Sequence, residues 1–450
     1  MAVGSPPSRR PELPRGPAAG VTLVAGGRLP LAFISAGLGA FGVAALTLGL
    51  NPDTLLLPVI HPHVVALTHL WLPGFLLSVC LGAIYQLMPV ILGTPLMIKN
   101  GQAWAHLVLH ITGATLLAGG FMMGHYIIVG IGGTLVAGGA VLLFTGTWRT
   151  FLNSQRRDAI AWSLPLSVTW LVATTLSGVV FAANRHSPFL PISVGELLRA
   201  HAHAGLGGFF LTLLQGTAFQ LIPMFTMAEI KRPRYVVAGL VFTQLGLLAV
   251  TCGLALGISG MTVAGAILIT FAVGASGIAL VATLRSRRRR ALDPGVRAFA
   301  AGATLLALDV AGALALQAWP RHTLPNPAAM VGVILIGGAL TAMILGMVCK
   351  IVPFLVWMRV YGPRAGRQPV PLATSLGSRR FEHAWLALHV TAVGVITLAL
   401  GIASPATLVV GTSLLAISAV AFLGSVTRVL AHLWCPQIVC PAGNRAISVS

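Results

Sequence analysis

Charge is what this 450-residue sequence has least of: Asp, Glu, Lys and Arg together make up 8% of it, and only eight residues are acidic. With 56% hydrophobic residues and a mean hydropathy of +0.92, the chain has too little polar surface to cover a soluble domain of this length. That scarcity excludes a water-soluble fold and implies a polytopic membrane protein in contact with the lipid bilayer. Cysteine is scarce too. Of the five, Cys80, Cys252 and Cys349 lie inside apolar runs, which leaves no disulfide framework. Residues 1–28 are rich in Pro, Gly and Arg but lack the apolar core of a cleaved signal, so they read as a disordered, basic cytoplasmic arm. A net charge of +20 and a pI near 11.6 would suggest nucleic acid in a soluble chain. In an apolar chain they reflect basic cytoplasmic loops, and no nucleic-acid partner is expected.

What is abundant is apolar sequence of membrane length. Runs fall at about 30–50, 63–93, 103–123, 126–147, 160–182, 201–226, 234–257, 261–284, 297–318, 328–358, 384–402 and 405–430. Each is long enough to cross a hydrocarbon core of roughly 30 Å, which predicts twelve transmembrane helices and an all-α fold. Loop charge supports this count. With both termini inside, all but three of the 28 Lys and Arg residues fall on the inner side, the exceptions being Arg185, Arg199 and Arg321. Residues 29–432 are expected to form a single membrane domain, with a cytoplasmic tail at 433–450.

An internal repeat organises the runs. His69 to Pro89 in the second helix and His203 to Pro223 in the sixth are both spacings of 20 residues. Between them Gly74-Phe75 matches Gly208-Phe209, Gly82 matches Gly216, and Gln86 matches Gln220. The tenth helix fits with Gly338, Gly346 and Pro353, but carries Lys350 in place of Gln and Val333 in place of His. The helices that follow echo one another as well, in Leu107-Val-Leu-His-Ile-Thr and Leu386-Ala-Leu-His-Val-Thr, with Gln244 at the matching place in the seventh. The expected architecture is three pseudo-threefold-related four-helix arcs, at about 29–150, 158–290 and 297–432.

Histidine is the residue type that can carry chemistry here. His69 and His203 occupy equivalent places at the outer ends of equivalent helices. Two neutral imidazoles opposed across a planar macrocycle form an axial arrangement for haem iron, and Gly205, Gly207 and Gly208 leave room for a bulky ring. The alternative is a pair of helix-start histidines bonded to nearby carbonyls. His201 precedes His203 by two residues, about 200° around a helix, so it serves a second centre or is solvated. His106 and His110 lie on one face, and His389 is the repeat mate of His110; these bind copper or iron, or join helices as polar contacts. His61 and His63 sit on the outer loop beside the second helix, near haem propionates or a transient metal, or simply exposed. Asp309 is an intramembrane carboxylate, marking a proton path or a hydrogen bond within the bundle. Lys350 reads as a snorkelling side chain without a role. His432, Cys435 and Cys440 make a weak metal signal that palmitoylation would equally explain.

These residues resemble a known family. Twelve helices in three arcs, a histidine on the second helix and a His-x-His-x-Gly helix ending in Pro (His201, His203, Gly205, Gly216, Pro223) are similar to subunit I of the haem-copper oxidases. The likeness is nearest to the cbb-type cytochrome c oxidases and nitric-oxide reductases. The resemblance implies a cytochrome c oxidase subunit I-like fold in the bacterial inner membrane and haem, most simply b-type, with copper or non-haem iron as a further metal. It also implies His201 on a high-spin haem, His203 opposite His69 on a low-spin haem, and an electron-donor cytochrome or partner subunits. The sequence departs from the family pattern: its His-x-His pair is on the sixth helix rather than the tenth, and residues 234–257 hold no histidine. A standard binuclear oxygen site cannot be assembled. The expectation is a haem-binding redox, electron-transfer or nitrogen-oxide-related protein. The rivals are a terminal oxidase or nitric-oxide reductase with relocated ligands, and a haem or copper transporter or chaperone.

Overall fold

A computed structural model describes residues 27–289, 291–318 and 324–436. The expected N-terminal arm and Cys440 therefore lie outside the described residues. Among the described residues all regular structure is helical, and twelve helices are long and apolar enough to cross a membrane. They are α1 (Arg28–Leu50), α2 (Pro62–Leu92), α3 (Asn100–Met123), α4 (Tyr126–Asn153), α5 (Ala159–His186), α6 (Val194–Thr226), α7 (Pro233–Leu256), α8 (Ser259–Arg285), α9 (Pro294–Leu316), α10 (Pro327–Val360), α11 (Arg379–Gly401) and α12 (Pro405–Ala431). Each matches one apolar run.

The largest boundary difference is at α6, which begins at Val194, seven residues before His201. Ser193 caps it: its Oγ accepts from the Glu196 N–H at 3.2 Å and donates to the Glu196 carboxylate at 2.8 Å. This added length carries Gly195, Glu196 and Arg199, so hydropathy alone does not register it. His201 consequently lies two turns inside a helix rather than at its start.

The same packing recurs along the chain. The first helix of each expected arc packs along the second, α1 on α2, α5 on α6 and α9 on α10, and the third pairs with the fourth. Close approach at these crossings depends on glycine. A Cβ added at Gly82 would lie 2.7 Å from the Pro30 carbonyl of α1, and one at Gly346 would lie 2.6 Å from the Gly295 carbonyl of α9. At Gly216 it would overlap Ser163 of α5. The repeat glycines thus mark contacts between backbones.

The second helices share a further feature. Each bears an eight-residue π-helical segment: Leu70–Leu77 in α2, Ala204–Leu211 in α6 and Val333–Leu340 in α10. A π turn leaves carbonyls without their usual partners, and the next hydroxyl in the chain reaches back to them. Ser78 donates to Gly74 at 2.8 Å, Thr212 to Gly207 at 3.3 Å and Thr341 to Ile336 at 2.7 Å. The indole N–H of Trp71 donates to Thr341 Oγ1 at 3.0 Å and ties α2 to α10.

Candidate functional site

His69 ends the α-helical start of α2, immediately before the π segment. Its Nδ1 lies 2.8 Å from the Val65 carbonyl one turn earlier. A carbonyl can only accept, so Nδ1 carries the proton and Nε2 keeps a lone pair. His201 on α6 has the same tautomer for a similar reason. Its Nδ1 lies 3.1 Å from Ser177 Oγ of α5. The Ser177 hydroxyl is itself spent on Thr174, 2.8 Å away. Gly178 makes room for this ring, since a Cβ there would come within 3.0 Å of His201 Cε1.

Both imidazoles line one cavity of about 470 Å³. Its walls are almost wholly apolar. Phe121 stands beside His69 with ring centroids 4.9 Å apart, and the cavity reaches α10 at Val333, the place where the third repeat lacks histidine. Arg185 from the last turn of α5 lies over the Tyr126 ring at 5.6 Å, and both side chains line the cavity. No carboxylate pairs with Arg185 among the described residues. An apolar slot holding two imidazoles with free Nε2 and an unpaired guanidinium is chemically suited to a large apolar ring that carries a metal and a carboxylate.

His203, the expected partner of His69, is not in this cavity. Its Nδ1 is bonded to the Arg199 carbonyl at 2.8 Å and its side chain is exposed. The rotation of about 200° between residues two apart on a helix turns His201 toward the cavity that His69 also lines, and His203 away from it. Sequence alignment of the repeat favoured His203 because it scored position along the helix and not direction around it. Arg185 stands out in the sequence only as a basic residue outside the inner loops, and Ser177 carries no sequence signal.

Several other histidines have structural partners. His110 on α3 donates through Nε2 to Ser78 Oγ at 2.9 Å, Gln244 on α7 donates to Thr212 Oγ1 at 3.0 Å, and His389 on α11 donates to the Gly337 carbonyl at 2.9 Å. Each fastens the π segment of the helix before it. His106 pairs with the Tyr85 hydroxyl at 2.9 Å. Groups of three or more His, Cys, Asp or Glu placed to hold a metal do not occur among the described residues. His61 caps α2, its Nδ1 accepting from the His63 N–H at 3.2 Å, and neither ring lines the cavity. His432 pairs with the Tyr361 hydroxyl at 2.8 Å, partial burial lowers its pKa, and Cys435 is exposed. Lys350 is ion-paired with Asp293 and lies 5.7 Å from the centre of the Phe225 ring. Asp309 is buried at the far side of α10 from the histidines.

Searches of protein-family models and of curated proteins find no match for this chain. Fold and composition define its class: a polytopic membrane protein with twelve candidate spans.

Proposed function

We propose that this protein binds one haem between α2 and α6, which His69 and His201 would hold through Nε2 and whose propionate Arg185 would meet. The observation that carries the reading is a pair of imidazoles that line one apolar cavity and are each held at Nδ1. The carbonyl of Val65 and the Ser177 hydroxyl hold the two rings by their far nitrogens, the outer-shell arrangement that fixes metal-ligating histidines. No cysteine lines the cavity, which favours non-covalent, b-type haem. When bound, haem supplies one-electron chemistry, whose potential depends on its axial ligands and surroundings. His69 and His201 would hold the group, and electron transfer is the chemistry it would supply there. The residues themselves orient the rings, exclude water with Phe121 and Val333, and supply one positive charge at the cavity end.

The recurrent glycine crossings and π segments support an arrangement of three arcs about a pseudo-threefold axis, similar to subunit I of the haem-copper oxidases. The proposed setting is a bacterial cytoplasmic membrane with the basic loops inside, which puts the histidines near the outer face, within reach of a cytochrome donor. The test is an optical and EPR spectrum of the purified, detergent-solubilised chain. The expected result is stoichiometric low-spin haem, lost in both His69→Ala and His201→Ala and kept in His203→Ala. A wild-type protein without haem sinks the reading, and loss in His203→Ala with retention in His201→Ala replaces this ligand pair with the one that family resemblance implies.

A further inference from the structure

The chain has a second cavity, of about 550 Å³, between α9 and α10. It is lined from α10 by Met330, Val331 and Ile334, whereas Ala329, Gly332 and Val333 of the same helix face the histidine cavity. The two spaces therefore lie on opposite sides of one helix, and nothing in the haem reading bears on the second.

Asp309 is the one ionisable side chain lining this cavity among the described residues. It is 4% exposed, and its Oδ1 has no hydrogen-bond partner among the described residues. Around it the walls are apolar. An added Cβ at Gly312, one turn on, would meet nothing within 4 Å, and Leu308 beside Asp309 is 61% exposed on the outside of the bundle. A buried carboxyl group without a partner is tolerated only where a proton or a cation neutralises it. A proton needs no space, but this carboxyl opens onto a volume in the range of small-molecule sites. Apolar walls around one acceptor are complementary to an apolar body bearing one positive charge.

We propose that the α9–α10 cavity binds a lipophilic organic monocation, with Asp309 as its counter-ion. The experiment uses the full chain in detergent, with tetraphenylphosphonium as the cation and tetraphenylborate as an anion of the same shape. Dicyclohexylcarbodiimide modifies carboxyl groups in apolar surroundings, and mass spectrometry of the peptide containing Asp309 reads the rate. The expected result is modification of Asp309 that slows about tenfold when the phosphonium is at roughly ten times its Kd, as mass action requires. Tetraphenylborate should leave the rate unchanged. Equilibrium dialysis should show phosphonium binding lost in Asp309→Asn and kept in Asp309→Glu, each variant first checked for a monodisperse elution profile. Absence of modification in the free protein, equal protection by both ions, or undiminished binding to a folded Asp309→Asn variant each overturns the proposal. Because the readouts do not involve His69 or His201, the haem reading can fail while this one stands.

Discussion

His201 Nδ1 lies 3.1 Å from Ser177 Oγ, and the hydroxyl hydrogen of Ser177 is committed to the Thr174 carbonyl at 2.8 Å. A short stretch of α5 thereby selects the tautomer of an imidazole on α6. Removing the hydroxyl frees the ring to turn. Outer-shell partners of this kind typically change metal affinity by about 10–100-fold when lost. Ser177→Ala is therefore expected to lower haem occupancy within that range, and Ser177→Thr to restore most of it. The measurement is a haem-to-protein ratio after equilibration with an apo-protein haem acceptor.

Arg185 should act differently. It contacts no ligand atom of the metal, so Arg185→Gln is expected to weaken retention of haem while leaving the low-spin spectrum in shape. A charge-assisted hydrogen bond is worth roughly 1.5–3 kcal/mol, or about 10–150-fold in affinity. Spectral change without weakened retention would remove Arg185 from the site.

The three fasteners His110, Gln244 and His389 predict an exchange. Since the protein itself uses glutamine at one of the three places, His110→Gln should keep the fold. His110→Leu strands the acceptor capacity of buried Ser78 and should cost about 1–3 kcal/mol, read as a lower thermal midpoint in detergent. Equal melting of both variants would show that the bond to Ser78 does not matter.

Glycine substitutions separate packing from propensity. At Gly113 on α3 a Cβ would lie 2.7 Å from the Gly132 carbonyl of α4, whereas at Gly138 it would meet nothing within 4 Å. Gly113→Ala should destabilise by about 1–3 kcal/mol through overpacking. Gly138→Ala should be neutral or mildly stabilising, since helix propensity favours alanine by up to about 1 kcal/mol. Thermal melts of both variants in the same detergent check the contrast.

Lys350 and Asp293 form a largely buried pair, with side chains 12% and 16% exposed. Breaking one partner of such a pair costs about 3–5 kcal/mol, while replacing both with apolar groups is often near neutral. Lys350→Met should therefore melt well below wild type, and Lys350→Met with Asp293→Leu should recover much of the loss. The double-mutant cycle by thermal unfolding decides it. A near-zero coupling energy would return Lys350 to the role of a snorkelling side chain.

Much of the fold was legible in the sequence because burying backbone in hydrocarbon requires long apolar helices, and hydropathy registers them directly. The repeat was legible as well, in Gly82, Gly216 and Gly346, because close backbone crossings tolerate no Cβ. What hydropathy did not register was the start of α6, where Ser193 caps the helix by accepting from the Glu196 N–H in polar sequence. The candidate site was half legible. His69 was found by its repeat position and lines the cavity. His203 was found by the same reasoning and lies outside it, because equivalent position in a repeat does not ensure equivalent facing when the neighbouring helices differ.

The sequence by itself determined the class of protein, the number of spans and the places where helices must touch, since these follow from local hydropathy and from residue size. The tertiary structure decided that His201 and Arg185 line the same cavity as His69, and that His110 and His389 bond to neighbouring helices. Those outcomes depend on rotation about the helix axis and on partners from other helices, such as Ser177 and Ser78. A one-dimensional pattern carries neither.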